Sequence, residues 1–559
     1  MENHAWKTAY PRPQMQRSRW LPLLDGWTLD GTAIQLPFPP QAPASGYQGI
    51  VGETLCYRNS FLLPDGFLPE GQRLLLHFGA VDQVAEVVLN GQPVCRHEGG
   101  YLPFTADITD YVQAGANVLQ VTAEDSLSHD YPYGKQKVKR GGMWYTPVSG
   151  IWQTVWLETV PTADRIEKLL IRTDTEALTL QVVSDAAQCL VEIETPEGKE
   201  REHIPCGQEV RLPIRHPRLW SPEDPYLYRF TVTTEQDTVQ SYFALRQIDI
   251  RQVGNHQRIC LNGKPIFLHG LLDQGYYPEG IFLPESPEHW EEDIRRVKAL
   301  GFNTLRKHVK VEPELWYAAC DRLGILVMQD MVNSGHYSFF WDTALPNIGL
   351  QKRPDWLPGS RKRRKFFRQH CLDTVAALQN HPSVILYTIF NEGWGEFHAD
   401  AMYRTMKDVV ADRLVIATSG WFHQKDSDID TKHVYFRNKA LHPGTRPMLL
   451  TECGGYTRPI EGHVFNTGKV YGYGQADTET ALTERIAKLY TEMVLPAVPE
   501  GLCGCIYTQI SDVEDEVNGL YTYDRQVCKV NSDGMQDIAR RCAQALQEAA
   551  SEKQLAEKA

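Results

Sequence analysis

Residues 384–394 read Val384-Ile-Leu-Tyr-Thr-Ile-Phe390, then Asn391-Glu392-Gly393-Trp394. An almost unbroken apolar run of this length suits a strand buried on both faces, and the polar residues after it mark where the strand leaves the core. Working outward, the same kind of segment recurs. Ile266–His269, Phe302–Leu305 and Ile325–Met328 precede it; Leu414–Ala417, Lys432–Tyr435, Met448–Thr451 and Leu502–Tyr507 follow. Between them lie helical patterns such as His289–Leu300, Pro313–Leu323, Phe366–Gln379, Met402–Ala411 and Thr480–Met493. Strands alternating with helices over roughly 300 residues predict a closed parallel (β/α)8 barrel across 249–559.

Upstream the rhythm changes to period two. Arg73-Leu-Leu-Leu-His-Phe78 and Ala85-Glu-Val-Val-Leu89 are short alternating runs, and Asn90-Gly91 is a hairpin dipeptide. These make residues 1–160 a β-rich domain. Residues 161–248 repeat the pattern at smaller scale, with Lys168-Leu-Leu-Ile171, Leu178-Thr-Leu-Gln-Val-Val183 and Tyr226-Leu-Tyr-Arg-Phe-Thr-Val232. That spacing predicts an immunoglobulin-like β-sandwich.

Composition bounds the function. The 559 residues are 42% hydrophobic and 23% charged, the balance of a globular chain, and too long for one ordinary domain. A formal net charge of −13 argues against a broad nucleic-acid or anionic-membrane surface. The basic run Arg361-Lys-Arg-Arg-Lys365 reads as a solvated helix face. No apolar stretch reaches the ~20 residues that span a bilayer, and residues 1–13 carry no apolar signal core. The 12 cysteines lack a framework spacing and no Cys/His cluster has zinc-site spacing. The expectation is a cytoplasmic protein with reduced thiols and no metal or cofactor.

In a parallel barrel the chemistry sits after the C-terminal ends of the strands. Two such ends carry glutamates: Asn391-Glu392 after the fourth strand and Glu452 after Met448-Leu-Leu-Thr451, the seventh. A carboxyl pair held in two different environments can protonate a leaving oxygen with one member and meet an oxocarbenium carbon with the other. Either glutamate alone reads more readily as a salt-bridged strand end; it is the pair, with Asn391 before the first, that points to chemistry. Other ends supply Arg306, His308, Asp330, His433, Tyr435, Tyr507 and Gln509 to the same rim. Arg306 could hold a nucleophile's charge and Tyr435 could donate to it, while Asp330 reads also as a buried partner of Arg306.

The chain resembles glycoside hydrolase family 2, the family of β-galactosidase and β-glucuronidase. The resemblance rests on Gly150-Ile-Trp152 to Leu157-Glu158, Asn262-Gly-Lys-Pro265, His269-Gly270, Gly301-Phe-Asn-Thr-Leu-Arg306, Asn391-Glu392 and Thr451-Glu452. It implies a sugar-binding-type jelly roll, an immunoglobulin-like domain and a catalytic barrel, in that order. It also implies a retaining exo-β-glycosidase with Glu392 as acid/base, Glu452 as nucleophile and Asn391 as donor to the sugar 2-hydroxyl. Dimers or tetramers are common in the family, so a homo-oligomer is one option.

Departures from the family pattern bear on the substrate. The His-Glu pair that well-known members carry after the first strand is replaced by Leu271-Leu-Asp-Gln274, which suggests hydroxyl recognition by Asp273 and Gln274. A magnesium-ligating Glu-x-His is not found after Asp330. The Asn-x-Lys of β-glucuronidases is missing before Gly519-Leu-Tyr-Thr-Tyr-Asp-Arg525, where Glu516-Val-Asn518 stands instead. The acidic loop Asp512–Glu516, with Glu514 as its candidate contact, would repel a uronate and accept hydrogen bonds from a neutral sugar. A neutral glycoside such as a β-galactoside therefore leads. The alternatives are a β-hexuronidase (glucuronidase or galacturonidase) and a non-catalytic carbohydrate-binding protein. The Gly- and Tyr-rich loop Gly454–Gln475 reads as a substrate cover, or as ordinary surface covering or a subunit contact.

Overall fold

The computed structural model describes residues 4–347, 360–435 and 438–556. Its first unit packs a four-stranded sheet (Trp20–Pro22, Val155–Pro161, Gln72–Phe78, Phe104–Asp107) on a six-stranded one built around Thr54–Phe61 and Asn117–Glu124. Thr54–Phe61 alternates exposed and buried residues without a break, as a strand with one wet face must. The second unit is a three- and four-stranded sandwich with its own core of Ile166, Leu180, Val191, Phe230 and Phe243.

The third unit is the barrel. Its strands are β1 (Leu268–Asp273), β2 (Thr304–Lys307), β3 (Leu326–Asp330), β4 (Val384–Asn391), β5 (Leu414–Ser419), β6 (Asp430–Val434), β7 (Met448–Gly454) and β8 (Leu502–Thr508). They form one parallel sheet in the order β5-β4-β3-β2-β1-β8-β7-β6. The seam between β5 and β6 is joined by the Thr431 hydroxyl, which accepts from Gly420 N at 3.1 Å and donates to Thr418 O at 3.4 Å. Leu268, Leu272, Met328, Leu386, Ile416, Leu449 and Ile506 fill the interior. A hairpin, Ile248–Val253 with His256–Leu261, adds Ile248 and Ile259 to the same core.

Two details differ from the sequence reading. Among the described residues no helix follows β5 or β6 before the next strand. The basic run opens the helix Arg361–Leu378, where Ser360 Oγ accepts from Arg363 N at 2.9 Å. Arg363 itself is buried, donating to Ser334 O and Gly395 O behind the site, so this residue of the run is not solvated. All 12 cysteines are free. No described helix is long and apolar enough to cross a membrane.

Candidate active site

Pairing register decides which strand-end residues face the barrel axis. Leu272 of β1, an interior core residue, pairs with Arg306 of β2, so Arg306 points inward; Asp273 pairs with Lys307 on the opposite face. Arg306 is fully buried and is the hub of the site. Its Nε and Nη2 reach Asp330 at 3.1 and 3.0 Å, and Nη1 donates to Glu452 Oε1 at 2.8 Å. Nη2 also donates to Asn391 Oδ1 and Ser419 Oγ, both at 3.0 Å. With the Asn391 oxygen bound by Arg306 and by Ser419 Oγ at 2.8 Å, the amide NH2 is the end left for a ligand.

Register irregularities between β6 and β7 and between β7 and β8 bring Glu452 opposite His433. Bulges of this kind re-aim side chains beside active sites. Glu452 Oε2 accepts from the Tyr435 hydroxyl, which also lies 3.2 Å from Thr508 Oγ1. Burial alone would lift the Glu452 carboxyl, but His433, Arg306 and His308, with the Tyr435 bond, outweigh it and hold the acid well below the usual carboxylate range. Asp330 is also lifted by burial and held low by Arg306 and by His308, whose Nδ1 is 2.8 Å away.

Glu392 sits in other surroundings. It is partly exposed, and its Oε1 lies 2.7 Å from His433 Nδ1, which is also 3.5 Å from Glu452 Oε2. Its backbone is left-handed (φ 51°), a strained state for a residue with a Cβ, and it turns the chain sharply out of β4. Gly393 follows at φ 69°, where a Cβ would come within 2.4 Å of the Phe422 ring. One carboxylate oxygen each from Glu392 and Glu452, with a nitrogen of His433, lie within 4.8 Å of one another. This trio is the one His/Cys/Asp/Glu group of metal-binding spacing among the described residues. A cation there would have to compete with the Arg306, Tyr435 and His433 contacts to the same carboxylates.

Eight of the residues singled out in the sequence thus converge: Glu392, Glu452, Arg306, Asn391, His433, Tyr435, Asp330 and His308. Four do not join them directly. Asp273 faces away from the axis and binds Lys307 Nζ at 2.6 Å, within a buried cluster with Glu312 and Lys310. Tyr507 pairs with Cys453 on the outward register and packs beneath Gly454, its hydroxyl accepting from Tyr456 N. Glu514 accepts from Thr146 N at 2.9 Å and faces Arg140. Gln509 donates to Asn518 Oδ1 at 2.8 Å, and Asn518 donates to Glu516 Oε1 at 2.9 Å.

Glu516, rather than Glu514, is the acidic-loop residue whose charge interacts with that of Glu452. Burial lifts its carboxyl above the ordinary range; Lys135 opposes that, and the charge of Glu452 adds to it. Its Oε2 accepts from Tyr145 of the first domain. The same domain supplies Trp144, whose ring is 4.9 Å from Trp394 and 5.5 Å from Tyr337. Tyr145, Trp144, Lys135 and Ser419 escaped the sequence reading, whereas Thr508 was among the polar residues it placed at the end of the eighth strand. The first three lie hundreds of residues from the glutamates, and Ser419 is the last residue of β5, just past its apolar run.

Comparison with known proteins agrees with this architecture. Residues 31–161 match the sugar binding domain of glycosyl hydrolases family 2, 161–246 a second family 2 domain and 252–460 the family 2 TIM barrel domain. The chain belongs to glycoside hydrolase family 2. It is 28% identical over 459 residues to a β-galactosidase of Vibrio cholerae, covering 75% of this chain and 42% of that protein. It is 24% identical over 453 residues to a β-galactosidase of Thermoanaerobacter pseudethanolicus, covering 73% and 54%. The chain therefore spans about half the length of these relatives. A β-D-glucuronidase structure from Dictyoglomus thermophilum superposes with TM-score 0.74 at 17% identity, covering 96% of this chain and 98% of that one. One from Faecalibacterium prausnitzii gives 0.71 at 20% identity, covering 96% and 99%. Identities this low establish the shared fold.

Proposed function

We propose that this chain is a retaining exo-β-glycosidase acting on neutral β-linked sugars, with β-galactosides first in line. The observation that carries the reading is the asymmetry of the carboxyl pair. Glu452 is buried against Arg306 and Tyr435 and is kept ionised, whereas the Glu392 side chain is 16% exposed and, among the described residues, its carboxylate bonds to the His433 ring alone, 2.7 Å away. One oxygen of each lies within 4.8 Å of an oxygen of the other, close enough for both to act on one sugar carbon, and we assign the pair to double displacement.

In this reading Glu452 attacks the anomeric carbon while Glu392 gives its proton to the departing glycosidic oxygen. Glycosylation neutralises Glu452, and Glu392, now a carboxylate, takes a proton from the water that releases the sugar. Arg306 and Tyr435 aim the nucleophile, and the Asn391 amide donates to the 2-hydroxyl, a bond that strengthens as charge develops on the ring. Trp144 and Tyr337 pack on Trp394, two residues beyond Glu392, and we assign this aromatic cluster to the leaving-group side. The preference for a neutral glycone rests on the buried acid Glu516, whose charge interacts with that of Glu452. A panel of nitrophenyl β-glycosides tests it: kcat/KM higher for a β-glucuronide or β-galacturonide than for its neutral counterpart would reject the neutral-sugar reading.

A further inference from the structure

Residues 128–149 leave the first domain after the strand Asn117–Glu124 and lie against the barrel rim before returning at Gly150–Ile151. Two sets of bonds pin this excursion. Tyr133 donates from N to Asn333 O at 3.0 Å and from its hydroxyl to Gly335 O at 2.7 Å, fixing it to the loop after β3. Tyr145 donates to Glu516, and Thr146 N to Glu514, fixing it to the loop after β8. Lys135 lies between the pins, its carbonyl tied to Tyr145 N at 3.0 Å. Arg140 of the same loop pairs with Glu514 and Asp515, but Lys135 forms no ion pair among the described residues. Its ammonium stands 6.0 Å from the Trp144 ring centre, and its charge bears on both Glu516 and His308.

We infer that Lys135 and Glu516 read the glycone together across the domain boundary, Lys135 donating to one ring hydroxyl and Glu516 accepting from that hydroxyl or its neighbour. The inference rests on the glycosidase reading and deepens it by making the first domain part of the specificity pocket. Each Glu516 oxygen already accepts one protein hydrogen bond, from Tyr145 or Asn518, which fixes the carboxylate while leaving lone pairs for a ligand. Asn333, on the loop that Tyr133 pins, is 1% exposed and neither of its amide atoms has a hydrogen-bond partner among the described residues. A buried amide left so is costly unless a ligand or water completes it, so the rim between the pins calls for polar guests. The opposite charges of Lys135 and Glu516 match a pair of hydroxyls better than a carboxylate, which Glu516 would repel.

The test uses the full chain with Lys135→Met, Lys135→Arg and Glu516→Gln. The substrates are the best neutral nitrophenyl β-glycoside and its 3-, 4- and 6-deoxy analogues. Loss of a charged donor should lower kcat/KM for the parent glycoside about 10- to 100-fold in Lys135→Met. That loss should vanish on the one analogue lacking the partnered hydroxyl, with Lys135→Arg recovering part of it and melting temperatures unchanged. An equal loss on every analogue, no loss at all, or a loss confined to β-uronides would overturn the inference. Calorimetric titration with galactose and its deoxy analogues gives a second readout. If no glycoside is cleaved, the glycosidase reading fails, while the effect of Lys135→Met on sugar binding still decides this one.

Discussion

Replacing Glu392 by Ala separates the two carboxyls by what each leaving group needs. The substitution removes the proton donor and leaves the Arg306 and Tyr435 bonds to Glu452 in place. A general acid is worth about 10²- to 10⁴-fold, or roughly 3–5 kcal/mol, to a leaving group that must be protonated. It is worth little to one that departs as a stable anion. The structure adds a second effect. His433 Nδ1, released from Glu392, is already 3.5 Å from Glu452 Oε2, and closing that gap would damp the nucleophile by about tenfold for every substrate. Dinitrophenyl glycosides should therefore lose about tenfold and unsubstituted phenyl glycosides about 10³- to 10⁵-fold in kcat/KM. Steady-state kinetics over a series of aryl leaving groups measures this as a steepened dependence on phenol acidity. Added azide should yield a β-glycosyl azide from Glu392→Ala and an α-glycosyl azide from Glu452→Ala. A uniform loss across the series, or a β-azide from Glu452→Ala, would show that the roles are assigned to the wrong residues.

Other consequences can be measured alongside. His370 is buried in the helix Arg361–Leu378 with neither ring nitrogen hydrogen-bonded among the described residues, and burial holds its imidazole at about 3 against an ordinary 6.5. Between those limits the unfolded chain binds a proton that the folded one refuses, so stability falls as pH drops below 6.5. At pH 5 the cost is about 2 kcal/mol relative to pH 8, and His370→Leu should raise the melting temperature more at pH 5 than at pH 8. An equal shift at both would refute it. Gly393→Ala places a methyl within 2.4 Å of the Phe422 ring at φ 69°, and should cost about 1–3 kcal/mol of stability, with kcat falling as Glu392 is displaced; a variant indistinguishable in melting and kinetics would show that this turn is not strained. Arg306→Lys keeps a charge but cannot serve Asp330, Glu452, Asn391 and Ser419 together, so kcat/KM should fall at least about 100-fold. A loss of less than tenfold would remove Arg306 as the organiser of the site.

The strand rhythm from Ile266 to Tyr507 carried the barrel, because strands buried on both faces must be written as apolar runs, and that pattern is local. Glu392 and Glu452 were visible for the same reason: each is the first charged residue after such a run, and the polarity change marks the rim. Side-chain direction was less visible. Asp273, Tyr507 and Arg306 all stand near strand ends, but inward or outward is set by register with neighbours tens to hundreds of residues away. That register turned Arg306 into the pocket and Asp273 toward Lys307. The irregularities in β6 and β7 that bring His433 opposite Glu452 likewise arise only when the strands pair. The choice of Glu516 over Glu514 was tertiary too, because Tyr145 and Thr146 of the first domain take one each. Period and polarity along one chain determined which residues lie on strands and which end them. Distances between segments with no sequence relation decided which of those residues share a pocket, and no local pattern encodes a contact between Tyr145 and Glu516.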